Sequence, residues 1–230
     1  MSRETEFETL VNPASHYVSW ASNEKSFRFY DKTAKEKTIK ELPTEFIIVK
    51  QASAVKGWND SANEGIFSNI ITNVSTQVLR VRSGKGLVAE GLYADIKEKV
   101  KSLGGHYEAK VFAVFGDSVV MIEFKGAVLG EWATFLKTNS NKIGGHKIVI
   151  NKFDDRKKGA VKYTVPVFEI GKPLTADEKK LANRAYDLSK GYLEKAGELS
   201  QVASVVADEV PNHEAPALNN GQDENDDLPF

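Results

Sequence analysis

Short runs rich in valine, isoleucine and aromatic residues recur along this chain, and they constrain its fold more than any other feature. They are "KSFRFY", "FIIVKQ", "GIFSNIITNV", "TQVLRVRS", "EAKVFAVFG", "SVVMIEFKG", "HKIVINKF" and "AVKYTVPVF". Several alternate with period two, and turn formers such as Gly84, Gly86, Gly116-Asp117 and Gly144-Gly145 separate them. Strands at this spacing predict a sandwich or barrel, and closure into a barrel removes exposed sheet edges.

Three helical patterns interrupt the strands. In "GLYADIKEKVKSLGG", Leu92, Ile96, Val100 and Leu103 form one apolar stripe that Gly104 stops. "AVLGEWATFLKT" is short and largely apolar, a packing helix with Trp132 and Phe135 in the core. The third has Thr175 and Glu178 at capping-box spacing, followed on one face by Leu181, Ala185, Leu188 and Tyr192. It is expected to run from Ala176 to the neighbourhood of Leu199. Several strands, one helix at residues 90–103, then two long strands is the order of a five-stranded Greek-key barrel of the oligonucleotide-binding type. The expected fold is therefore mainly β with accessory helices, an OB-like barrel carrying a disordered C-terminal tail. Residues 1–200 read as one domain, 201–222 as a flexible linker without basic residues or apolar period, and 223–230 as an acidic tip.

Charge is divided unevenly along the chain. Of 31 basic and 32 acidic residues, seven acids and no Lys or Arg fall in positions 201–230, which leaves 31 against 25 and a net of +6 before them. A basic body suggests a polyanionic partner. There is no cysteine, so thiolate metal sites and disulfides are excluded. No apolar run approaches a membrane span, and "MSRETEFETLV" is too charged for a signal peptide, so a soluble, cytoplasmic protein is expected.

Within the body, candidates for nucleic-acid contact must lie on the face of a strand turned away from the core. Alternation places Lys56 and Trp58 together, opposite Val55 and Gly57. It likewise places Arg80 and Arg82 outward while Leu79 and Val81 face in, with Lys85 on the following turn. Arg28 and Tyr30 share the face opposite Phe27 and Phe29. "NKFDDRKKGA" reads as a hairpin loop whose Lys152, Arg156, Lys157 and Lys158 flank a groove. Phe67 and Phe112 lie in apolar runs and read as core, and Trp20 as an exposed aromatic. Cations that track phosphates and rings that stack on bases are what sequence-independent binding of a single strand requires.

The last residues are Asp223, Glu224, Asn225, Asp226, Asp227, Leu228, Pro229 and Phe230. With a basic, strand-rich body and a linker before them, they resemble the ending of the bacterial single-stranded DNA-binding protein family, an acidic peptide of the form Asp-Asp-Asp-Ile-Pro-Phe. Asn225 interrupts the acidic series and Leu228 stands where that family has isoleucine. The resemblance covers these residues and the overall layout. It implies a protein, bacterial or phage-encoded, that coats and protects single-stranded DNA in replication, recombination and repair and recruits partner proteins through the tip. An apolar Phe230 anchor, an extended Leu228-Pro229 and steering by the acids are the physical means.

Catalytic chemistry finds no constellation. The histidines His16, His106, His146 and His213 have no ligand spacing, and Gly84-Lys85-Gly86 lacks the flanking residues of a phosphate-binding loop. A binding protein without cofactor or metal is expected rather than an enzyme. A recombination mediator or strand-annealing protein, and a β-rich phage structural protein with a solubilising tail, are the alternatives.

Overall fold

A computed structural model of the chain describes residues 11–202, with side chains to 197. The elements follow in the order β1 (His16–Ala21), β2 (Ser26–Asp31), β3 (Lys37–Lys40), β4 (Thr44–Asn59), β5 (Glu64–Ser68), β6 (Leu79–Ser83), β7 (Gly86–Gly91), α1 (Tyr93–Ser102), β8 (Gly105–Phe115), β9 (Ser118–Lys125), α2 (Gly126–Asn139), a 3₁₀ turn (Ile143–Gly145), β10 (His146–Lys158), β11 (Val161–Pro173) and α3 (Ala176–Val202). The protein is mainly β, as expected. Its strands form one open mixed sheet in the order β3-β2-β1-β9-β8-β4-β5-β6-β7, and β10 branches from β4 to pair with β11. Among the described pairings, β1 with β9 is parallel and the others are antiparallel. No helix among the described residues is long and apolar enough to cross a membrane.

The 16-residue β4 organises this sheet. One edge pairs with β8 from Ile47–Val114 to Gly57–Gly105. The other edge is divided between β10 at Thr44–Phe46, an isolated bridge from Ser53 to Ile71, and β5 at Lys56–Asn59. A register shift between Ile48 and Lys50 bends the strand, as a bulge does.

The inner face of the sheet carries the main core. Phe27, Val55, Ile66, Leu79, Val81, Val111, Ile122 and Phe124 meet there, closed by α1 through Ile96 and Val100 and by α2 through Trp132 and Phe135. Trp132 is buried among Phe46, Phe124, Phe135 and Phe168. The outer face is covered in part by α3. Tyr192 and Leu193 sit on Phe112, Met121 and Ala52, and Ala185 sits with Leu174 on Ile47 and Val114. Each such burial contributes about 2 kcal/mol. The capping box forms as predicted: the Thr175 amide donates to Glu178 Oε2 at 2.9 Å, and the Glu178 amide to Thr175 Oγ1 at 3.3 Å.

Four local expectations are corrected. Leu188 is 52% exposed, because the buried face of α3 runs through Ala185, Ser189, Tyr192 and Leu193. The helix also continues to Val202, into the stretch expected as linker; residues 203–222 and the tip lie outside the described residues. "GIFSNIITNV" does not form one strand, since β5 ends at Ser68 and a loop stabilised by Asn69, Asn73 and Gln77 follows. Residues 151–158 are strand rather than loop, and the hairpin turns at Gly159, whose φ is +58°.

One backbone crossing sets the position of the Lys56–Trp58 stretch. A Cβ on Gly57 would stand 2.2 Å from the Gly104 carbonyl oxygen, and a Cβ on Gly104, at φ +90°, would stand 2.2 Å from the Trp58 carbonyl oxygen. Backbone cannot move aside as a flexible side chain does. Gly57→Ala is therefore expected to destabilise the fold by about 3 kcal/mol in urea denaturation. Gly116→Ala, at φ +60° with open space around it, is expected to cost about 1 kcal/mol. Equal costs at the two positions would refute the crossing as a constraint.

Candidate nucleic-acid interface

Residues paired across neighbouring strands present their side chains on the same face of a sheet. With Val55 and Ile66 turned into the core, Lys56 and Phe67 face out, and the pairings extend this into a row: His106, Lys56, Phe67, Arg82 and Leu87 on β8, β4, β5, β6 and β7. At roughly 4.8 Å between strands, Lys56 and Arg82 stand about 10 Å apart with the Phe67 ring between them. Phe67 is 36% exposed. Trp58 lies one pleat farther along β4 on the same face, opposite Gly65, where an added Cβ would meet no atom within 4 Å. Two aromatic rings and two cations thus share one accessible surface.

Arg80 and Lys85 border this surface. Arg80 shares the outward face of β6 and pairs with Glu90 at 3.0 Å. Lys85 is exposed on the β6–β7 turn, whose Gly84 has φ +55°, and its carbonyl accepts from Arg82 Nη1 at 3.2 Å. Arg28 is also on the outer face but belongs to another row, with Ser19, Glu123, Lys110 and Ala52, and it is tied to Glu24 at 2.8 Å. Tyr30 is paired with Tyr17, which packs into the cluster beneath α3.

The β10–β11 residues do not join the row. Neither strand pairs with β5, β6 or β7. Arg156 is engaged by Glu131 at 3.1 Å and Asp154 at 3.4 Å, and Lys152 lies 3.7 Å from Glu169. Lys157 stands opposite Lys162, with Lys158 beside it. Phe153 carries Lys25 over its ring at 4.7 Å. Trp20 is not an exposed aromatic: it packs against the core and donates from Nε1 to the Thr164 carbonyl at 2.9 Å. Asp223, Glu224, Asp226, Asp227, Leu228, Pro229 and Phe230 lie outside the described residues.

Phe67 is the member of the site that the sequence reading assigned to the core. Alternation within "GIF" carried the signal, since Ile66 is buried and its neighbour must then point out.

No family model, curated protein or solved structure matches this chain. The interface therefore stands on its own chemistry.

A cluster of charges lies behind the row on the same outer face. Lys110 Nζ contacts Glu108 and lies 2.5 Å from Glu123 Oε1, while Lys56 reaches Glu123 Oε2 at 3.2 Å. Burial disfavours the Lys110 charge, yet the two carboxylates raise its pKa above the usual lysine value. Burial pushes Glu123 up as well, but Lys110 and Lys56 overcome this and hold it at about 2. Glu108 is 1% exposed, and for it burial prevails and the pKa is raised. Glu108 is paired with the Lys110 ammonium. Such a cluster is poor evidence for stability, because desolvation offsets much of the attraction.

His106 completes the cluster. Its Nε2 is buried without a hydrogen-bond partner among the described residues. Burial, reinforced by Lys125, Lys56 and Lys110 and opposed by Glu123, lowers its pKa from 6.5 to about 4. In that window the unfolded chain binds the proton and the folded one does not, so stability falls as pH drops from about 6.5 to about 4. His106→Gln is expected to flatten this part of the melting-temperature profile, followed by circular dichroism. An unchanged slope would remove His106 as its source.

Proposed function

We propose that the protein binds single-stranded DNA on the outer face of β4, β5 and β6, coating and protecting it during replication, recombination and repair. One observation carries this reading: the exposed Phe67 ring and the half-buried Trp58 ring lie on the same sheet surface as Lys56 and Arg82. Rings stack on bases of any identity at about 1–3 kcal/mol each, and the cations meet the backbone phosphates. The chemistry is that of holding a strand, and we read the chain as a binding protein rather than an enzyme. Arg80 and Lys85 extend the cationic border. Arg28 and Tyr30, and the basic strand with Lys152, Arg156, Lys157 and Lys158, are secondary contacts that a longer strand would reach.

An OB-like ancestry fits the same region. β4, β5 and the β6–β7 hairpin precede α1, the β8–β9 hairpin follows it, and β4 is shared between β5 and β8. In this reading β1–β3, the β10–β11 hairpin and α3 are additions to that unit. Residues 223–230 are proposed to recruit partner proteins of replication, recombination and repair, through an aromatic anchor preceded by acids.

Phe67→Ala and Trp58→Ala are each expected to weaken binding to a fluorescent oligo-dT by about 5- to 100-fold, with unchanged melting temperature. Arg82→Gln is expected to lower the slope of log K against log salt by about 0.7. Oligo-dT affinity unchanged in the Phe67→Ala, Trp58→Ala double variant would remove this face as the interface. Deletion of residues 223–230 is expected to leave DNA binding intact or slightly tighter while abolishing capture of purified replication proteins in a pull-down. Loss of DNA affinity on that deletion would contradict the division of roles.

A further inference from the structure

The carboxylate of Glu123 is shared between two lysines in very different surroundings. Lys110 Nζ lies 2.5 Å from its Oε1, and Lys56 Nζ lies 3.4 and 3.2 Å from its two oxygens. Lys110 is 8% exposed and has a second counter-charge in Glu108. Lys56 is 39% exposed and stands beside Phe67, and Glu123 is its acidic partner among the described residues.

We propose that Glu123 is a built-in competitor of the nucleic-acid backbone, holding Lys56 in the free protein and yielding it to a phosphate when a strand lies on the face. The inference rests on the reading of this face as a single-stranded DNA interface and names the group that tunes it. Two features make the exchange possible. A half-exposed ion pair is weak, of the order of what a phosphate offers in return. When Lys56 leaves, Glu123 keeps Lys110, so no carboxylate is stranded without a counter-ion in a buried position, which would be costly. Lys110 cannot make this exchange, because it is buried between Glu108 and Glu123.

The test is a double-mutant cycle on oligo-dT binding at low salt, using the full chain with Glu123→Gln, Lys56→Gln and both together. Removing the competitor is expected to tighten binding about 3- to 5-fold, an effect of the size an exposed pair allows. Lys56→Gln is expected to cost at least 3-fold more in the Glu123→Gln background than in the native one. An equal or smaller cost there overturns the proposal, even if Glu123→Gln alone binds more tightly, because the gain then reflects net charge. Should Glu123→Gln fail to fold by circular dichroism, Glu123→Asp, one methylene shorter and drawn back from Lys56, is the background for the same comparison with the same criterion. Failure of the native protein to bind oligo-dT strikes the functional reading itself, whereas binding with an additive cycle strikes the role of Glu123 alone.

Discussion

The antiparallel pairing of β4 with β8 is the contact on which the rest of this molecule depends. Ten paired positions between Ile47 and Gly57 join these strands in the middle of the sheet, and both the inner core and the covering helix α3 rest on them. Their inner residues, such as Val55, Tyr107, Ala109 and Val111, belong to the main core. Their outer residues change character along the strands. Phe112, Val114 and Ala52 receive α3, then Lys110 and Glu108 form the buried charges, and then His106 and Lys56 open onto the aromatic row. A single ladder therefore carries a covered apolar surface and an accessible cationic one. The close passage of Gly57 over Gly104 and Gly105 is where that ladder ends and the accessible row begins.

The charged cluster has a physical meaning in that position. A stretch of outer face that was apolar to its end would leave hydrophobic surface exposed beyond Tyr192 and Leu193. A stretch with unpaired cations would pay a large desolvation cost where the face is buried. Lys110 between Glu108 and Glu123, with Lys56 on the accessible side, grades the surface from dry to wet across two strand pairs. The half-buried His106 and the buried Glu108 work against stability here, and the cluster places Lys56 next to an exposed ring.

Particular residues show why some of this was legible in advance. Phe27, Leu79, Val81, Trp132 and Phe135 are buried as their patterns indicated, and the Thr175–Glu178 cap forms at the predicted residues. Those patterns are local. Leu188 failed because a long helix presents a stripe that drifts, and the sheet beneath it selected Ser189 and Leu193 instead. Residues 151–158 failed because a charged sequence resembles a loop when its strand partner, residues 161–168, is ignored. Phe67 failed for a related reason: an aromatic in an apolar run looks buried unless the strand's inward residues are assigned first.

From sequence alone, the period-two alternation determined which side chains of each strand oppose one another. It put Lys56 with Trp58 and Arg80 with Arg82, because the pleat of an extended chain is a property of consecutive residues. Tertiary structure alone decided that β5 lies between β4 and β6. That order places Phe67 between Lys56 and Arg82 and leaves the basic hairpin strand apart from them. It also decided that Lys110 and Glu108 are buried whereas Lys56 is not, since burial depends on which element lies above a residue. Strand neighbours and covering helices are set by how the whole chain shares its core, and no window of sequence contains that information.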